Sequence, residues 1–396
     1  MIDPSSGAAP VFILSCERSG STLLRMIIDT HSQIACPAQA YLGPTCRSLI
    51  DTIRFSVGQR FDGSERDRDT QILQEVRAIV DGLMQRYAAM RGKRLWCEKT
   101  TLNVDFLDIL SKVFPDARYL CLYRNCMDVV QSCLKFSSLG FMPELASYVA
   151  AQPDNLVAAM AESWLDKNTK ILDFESAHPD RCFRVVYEEM TRDPRATLPH
   201  IFAFLGLAWE PSIVDKVFTS DHDRGDGDVK VHFSEKINQD SVGRGRAIPL
   251  ASVPEALRSR IDGLSEKLGQ DTLARFYGGG EPGEAATKAR PVDFHALVRA
   301  RLPMSDSERR AGLRGVCRFV VEGEGGDAWI LDLSGPEVLV REDAGDSADC
   351  TIAVTHPAFC ELVDGTATVG EVYERGAVSI QGSTHLALQV GLLMFG

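Results

Sequence analysis

Val11-Phe12-Ile13-Leu14-Ser15-Cys16-Glu17-Arg18-Ser19-Gly20-Ser21-Thr22-Leu23-Leu24-Arg25 is the stretch whose reading decides the fold. It opens as an apolar run the length of one strand buried on both faces. The chain then turns at Arg18-Ser19-Gly20, after which Leu23, Leu24, Ile27 and Ile28 recur at helical spacing. Strand, small-residue turn and helix N-terminus together make a cradle for an anion. Backbone N–H groups point out of the first helical turn, and the helix dipole adds partial positive charge. Ser19, Ser21 and Thr22 add hydroxyl donors, Gly20 permits close backbone approach, and Arg18 brings a full charge. The loop is not a Walker A motif, which needs G-x-x-x-x-G-K-[ST]; no Lys precedes Ser21. The plainer alternative is an ordinary strand-to-helix turn with an incidental Arg.

Outward from this stretch the pattern repeats. Arg94–Glu98 reads as a second strand ending at Lys99-Thr100-Thr101, Arg118–Tyr123 as a third ending at Arg124, and Cys182–Tyr187 as a fourth. Helical patterning separates them: a charged region up to Met90, a helix through Val104–Val113 stopped by Phe114-Pro115, one from Asp128 to Phe136, and one from Asn155 to Phe174. His31 to Gly43 reads as irregular. Strands alternating with helices imply right-handed βαβ units and a parallel sheet. Such sheets take ligands beyond the carboxyl ends of their strands, which singles out Arg18-Ser19-Gly20, Lys99-Thr100, Arg124 and Tyr187-Glu188.

The 396 residues suit two domains, or one large domain with an appendage. A net charge of −12 argues against general affinity for nucleic acid or anionic membrane, so basic residues in one loop suggest a local anion site. Eleven Cys without metal-type spacing, no signal peptide and no apolar run of membrane-span length point to free thiols in a reducing cytoplasm. From Gly278 to Pro291 the composition becomes that of a linker. Beyond it, a helix at Phe294–Val298, strand-like runs at Cys317–Val321, Trp329–Leu333, Val338–Arg341 and Cys350–Val354, a short helix at Phe359–Val363, a strand at Val378–Gln381 and an apolar tail suggest an α+β domain.

Arg124 and Ser132 form a second constellation. Eight positions apart, across a helix start, a guanidinium and a hydroxyl could share one phosphate, although a strand-terminal Arg is more often in a surface ion pair. With the first loop, the two strand ends could hold the two phosphates of one nucleotide.

These residues carry a family resemblance. Glu17-Arg18-Ser19-Gly20-Ser21-Thr22-Leu23-Leu24 resembles the 5′-phosphosulfate loop of sulfotransferases, commonly P-R-S-G-T-T-L-L, and Arg124 to Ser132 resembles that family's 3′-phosphate motif. Tyr187-Glu188-Glu189-Met190, Phe204-Leu205-Gly206-Leu207 and Ser241-Val242-Gly243-Arg244-Gly245-Arg246 resemble its later segments. The resemblance implies a P-loop-like α/β fold and the donor 3′-phosphoadenosine 5′-phosphosulfate (PAPS), with no metal. Arg18, Ser19, Gly20, Ser21, Thr22 and Leu23 would hold the 5′-phosphosulfate. Arg124, Ser132 and the loop Gly243, Arg244, Gly245 would close on the 3′-phosphate, and Tyr187 would approach the adenine. Lys99 matches the family's K-T segment and would neutralise the leaving oxygen; otherwise it is a surface Lys after a strand.

The base departs from the family pattern. The His that cytosolic members carry two residues after that Lys is Thr101 here, and Pro37-Ala38-Gln39 lacks the Glu of the tyrosyl-protein branch. Glu98, Glu17, His222 and His232 remain, with Glu98 preferred for its strand-end position; His31 reads as a cap or core His. The C-terminal part resembles the SCP2 sterol-carrier domain through Trp329–Leu333, Asp349–Ile352, Phe359 to Gly365 and Gly376–Gly382. That family forms an apolar tunnel for lipids; the same residues could equally be a small core or a homodimer contact. Expected domains are thus 1–277, a linker 278–291, and 292–396. The expected activity is sulfonate transfer to a lipophilic small-molecule or carrier-bound acceptor. A non-catalytic lipid carrier that keeps a nucleotide site competes with it, while a small-molecule kinase would need a Walker Lys and Mg²⁺ ligands not found here.

Overall fold

The computed structural model describes residues 9–137, 143–223, 236–278, Phe294 and, with short breaks, 314–394. The chain divides into two compact units, one of residues 1–133 and 144–279, the other of residues 134–143 and 280–396. The expected linker lies almost wholly outside the described residues, as does His232.

In the first unit the strands are β1 (Val11–Leu14), β2 (Ile34–Ala35), β3 (Leu95–Glu98), β4 (Arg118–Tyr123) and β5 (Cys182–Val186). Among the helices, α1 (Ser21–Thr30), α2 (Leu42–Phe55) and α3 (Glu65–Met90) precede β3, and α4 (Leu107–Val113) precedes β4. After β4 come α5 (Cys126–Ser137), α6 (Ala146–Ala151) and α7 (Leu156–Ala177). After β5 come α8 (Tyr187–Arg192), α9 (Pro194–Phe204), α10 (Ile213–Lys216), α11 (Glu255–Leu268) and α12 (Leu273–Gly278). The sheet order is β2-β3-β1-β4-β5 with every pair parallel, the architecture the alternating pattern predicts. The sequence reading did not anticipate β2. It pairs only Ile34 with Leu95 and Ala35 with Trp96, and two residues offer no period to read.

β1 is buried on both faces because it is central. On one side Phe12 sits 5.6 Å from the ring centroids of Trp96, Phe114 and Tyr119. On the other, Val11 and Ile13 join a core with Leu24, Ile27, Leu120, Val185 and Phe202. The chain leaves β1 towards β2 and β3, but leaves β4 towards β5, so the crevice beyond the ends of β1 and β4 is a topological switch point. Open α/β sheets bind ligands there.

The second unit is a mixed sheet ordered β10-β9-β6-β7-β8, where β6 is Val316–Glu322, β7 Ala328–Asp332, β8 Leu339–Glu342, β9 Cys350–Thr355 and β10 Val378–Gly382. Only the β6–β9 pair is parallel, with Cys317 opposite Cys350. Along β6, Cys317, Phe319 and Val321 are buried at alternate positions, the period of a sheet with one face packed. That face meets α13 (His356–Asp364), Leu386, Val390 and Met394. Phe294 is central to this core, stacked on Trp329 at 4.5 Å and close to Phe319 and Phe359. Trp329 and Phe359 are therefore core side chains; Leu388, Leu392 and Phe395 lie outside the described residues. Among the described residues no helix is long and apolar enough to cross a membrane. All eleven cysteines are free thiols.

Candidate active site

The loop from Ser15 to Gly20 is held in an uncommon backbone. Arg18 has φ 60° and Gly20 φ 89°, both left-handed. At Gly20 a Cβ would stand 2.3 Å from the Tyr187 ring, so only glycine fits. Beneath the loop the Cys16 thiol and Ser19 hydroxyl share a 2.8 Å hydrogen bond, and burial pushes the Cys16 thiol up to about 12, keeping it neutral. The helix α1 that follows has no side-chain cap and no acidic residue in its first turn. Ser21 and Thr22 occupy that turn, while Leu23 packs into the core and leaves only its backbone to a ligand. The strand, small-residue turn and helix start foreseen from the sequence are present, with the first-turn N–H groups left without a side-chain cap.

The second motif meets the first. Arg18 Nε donates to Ser132 Oγ at 3.2 Å, and Arg124 donates to the Arg18 carbonyl at 3.0 Å and the Ser241 carbonyl at 2.6 Å. The Arg124 guanidinium lies 4.4 Å from the Tyr187 ring centroid, and the Tyr187 and Ser241 hydroxyls share a 2.7 Å hydrogen bond. Arg124 Nε is buried with no hydrogen-bond partner among the described residues. An unpaired buried donor of a fixed charge is the residue type that a phosphate oxygen would complete. The late loop is fastened by a residue that sequence reading passed over. Asp128 accepts from the Gly243 N–H at 2.8 Å and the Gly245 N–H at 2.7 Å, and a Cβ at Gly245 would collide with the Met127 backbone at 2.3 Å. Arg244 begins the 3-10 turn of that loop and donates to the Asp240 carbonyl.

Lys99, after β3, is buried rather than on the surface, at 3% exposure. Burial, then the nearby Arg25 and Arg18 charges, hold its ammonium below the usual lysine range despite help from Cys36 and Glu98. Arg25 is the other residue missed. It is 2% exposed and donates to the Cys36 and Asp223 carbonyls. A charge placed among Leu23, Leu24, Met26 and Ile27 was the available signal. The positive cluster is now Arg18, Arg25, Lys99 and Arg124, and it surrounds an uncapped helix start.

The candidate bases fare unequally. Glu98 is fully buried, and its carboxylate accepts from the Ala40 N–H at 3.0 Å, the Thr100 hydroxyl and the Asn103 amide. Burial raises its proton affinity, and those hydrogen bonds oppose the rise. Asn103 in turn accepts from the Gly43 N–H, so Glu98 ties β3 to the start of α2. His222 contacts Asp29 at 2.6 Å through Nδ1 and the Val217 carbonyl at 2.8 Å through Nε2. His31 ends α1, bonded to Ala208 and Gln33 and stacked on Phe202, as a core histidine should be. Glu17 alone keeps both carboxylate oxygens buried without a hydrogen-bond partner among the described residues.

Comparison with known proteins agrees with this geometry. Residues 10–211 match the sulfotransferase family and residues 294–394 the SCP-2 sterol transfer family. Protein-tyrosine sulfotransferase 2 of Gallus gallus is 22% identical over 52% of this chain and 53% of its own length. Protein-tyrosine sulfotransferase A of Caenorhabditis elegans is 24% identical over 72% of this chain and 73% of its own. The chain spans about half the length of the first of these relatives. The solved sulfotransferase domain from the curacin biosynthetic pathway has the same fold, with TM-score 0.50 and 22% identity over 66% of this chain and 98% of that one. The chain belongs to the sulfotransferase family, and carries after that domain a second one of the SCP-2 type.

Proposed function

We propose that the first unit transfers a sulfonate group from PAPS to a hydroxyl or amine of a lipophilic small-molecule or carrier-bound acceptor. The observation that carries this reading is the meeting of Arg18, Ser132 and Arg124 at the uncapped start of α1, with Lys99 buried beside Arg25. PAPS presents two separate anionic groups, and the site has two sets of donors. The backbone and hydroxyls of Ser19 to Leu23 with Arg18 suit the 5′-phosphosulfate. Arg124, Ser132 and the Gly243–Gly245 loop suit the 3′-phosphate, with Tyr187 towards the adenine. Lys99 is the cation placed to meet charge that develops on the leaving oxygen, where a desolvated donor contributes most. Glu98 positions this cluster by joining β3 to the α2 entry. The SCP-2-type domain supports a lipophilic acceptor, and eleven free thiols suit a reducing compartment.

The test is release of 3′-phosphoadenosine 5′-phosphate (PAP) across a panel of phenols, long-chain alcohols, amines and tyrosine peptides, with PAP affinity measured by calorimetry in chelator. Metal-independent PAP binding and acceptor-dependent release are expected. The competing reading, a lipid carrier that keeps only a nucleotide site, draws on the saturation of Glu98 by three donors. Tight PAP binding with no release on any acceptor would favour it.

A further inference from the structure

Consecutive residues of the anion loop send their side chains to different neighbours. Arg18 reaches Ser132 at the end of the second motif. Glu17, just before it, has Thr101 and Lys167 as the nearby groups that favour its charged form. Thr101 is two residues past Lys99, so the Glu17 carboxylate stands where the loop after β1 meets the segment that follows β3. It is 3% exposed, and neither oxygen has a hydrogen-bond partner among the described residues.

A buried carboxylate left without donors costs stability, and folds keep such groups mainly where they act. Lys167 does not discharge this role, because its ammonium is bonded to Asp105. Resting on the sulfonate-transfer reading above, we infer that Glu17 is the general base of the reaction, taking the proton from the acceptor hydroxyl. In that step the acceptor oxygen forms a bond to the sulfur of the phosphosulfate donor and loses its proton to Glu17. The bond from sulfur to the bridging oxygen breaks, and its electron pair leaves on the phosphate of PAP, opposite Lys99. A carboxylate with Thr101 as its one nearby side-chain donor is a stronger base than one held by three donors, which is why Glu17 suits the role and Glu98 does not. Burial, the largest influence on Glu17, and Glu144 raise its proton affinity, while Lys167 and Thr101 moderate the rise.

The experiment compares wild type and Glu17→Gln in PAP release with a series of phenols of graded acidity and one alkyl alcohol. PAP affinity and melting temperature are followed against pH. The variant should lose about 100-fold in kcat on the least acidic acceptors, and progressively less as the phenol becomes more acidic. Its PAP affinity should stay within about threefold, and the acid limb of the wild-type rate profile should vanish. Stability supplies a readout that a structural role would not move in the same way. With its proton affinity raised by folding, Glu17 keeps a proton in the native state at pH values where the unfolded chain has lost it. Wild-type stability therefore falls as pH rises through that window. Glu98 and Glu188 are raised with the same sign, so the difference between wild type and variant isolates Glu17. Above the window Glu17→Gln should melt higher than wild type. An equal rate loss on every acceptor, an unchanged pH profile, or a variant that melts lower at alkaline pH would overturn the assignment. Wild-type PAP binding with no release on any acceptor would instead remove the sulfonate-transfer reading, and the base with it.

Discussion

Lys99 is the residue on which binding and chemistry separate. Free of an anion, its ammonium is buried among like charges and held below the usual lysine range. On the proposed reading, phosphosulfate or PAP would add further negative charge beside it and should draw the value back up. Between the free and bound values, binding must therefore take up a proton, and affinity must fall as pH rises through the free value. Calorimetry of PAP in two buffers of different ionisation heat should show this uptake in wild type and lose it in Lys99→Arg, whose charge does not titrate. Equal proton uptake in both proteins would assign the linkage to another group. In catalysis, Lys99→Ala should lower kcat by about 10²–10³ while changing PAP affinity far less, because the full charge it meets exists only as the leaving oxygen departs. A change confined to KM would make Lys99 a binding residue. The type and place of this lysine were legible from its strand-end position, but its burial was not. Its surroundings include Arg25 of α1, an element that no local reading of Glu98-Lys99-Thr100 contains.

At the scale of elements, two helix starts are tied together by a few backbone-directed bonds. Asp128, in the first turn of α5, grips the N–H groups of Gly243 and Gly245 and thereby docks the late loop on the start of that helix. Asp128→Ala should release that loop, leaving the sheet intact, since the two side-chain hydrogen bonds it removes run to the loop and not to a strand. PAP affinity should drop by roughly tenfold for the loss of two charge-assisted bonds, discounted for loop rearrangement. Limited proteolysis within residues 236–250 should become faster; unchanged cleavage and affinity would show that the loop is held by other contacts. Gly20→Ala belongs to the same scale. A Cβ 2.3 Å from Tyr187 at φ 89° must displace the ring that stacks under Arg124, so nucleotide binding should fail before the fold does. The order of elements was readable because four strands and their helices each carry their own period. β2 was not, being two residues long, nor was the Asp128 clasp, whose partners lie more than a hundred residues away.

For the whole molecule the question is what the second unit adds. Each unit encloses a core of its own: Ile13, Leu24, Leu120, Val185 and Phe202 belong to the first, and Phe294, Phe319, Trp329 and Phe359 to the second. Every motif named for the nucleotide ends by Arg246. We therefore propose a domain at 1–277 and another at 292–396, joined by 278–291, and expect a chain ending at Gly278 to fold and bind PAP with wild-type affinity. Rates on small polar phenols should persist, whereas those on long-chain alcohols should fall selectively, if the SCP-2-type domain captures the apolar chain of the acceptor as proposed and takes no part in sulfonate chemistry. The decisive comparison is the ratio of the two rates in both proteins, with PAP affinity as the control for folding. A uniform loss on all acceptors at unchanged affinity would deny the second unit an acceptor role. Aggregation of the shortened chain would indicate that the truncation bares apolar surface, giving the second unit a structural purpose.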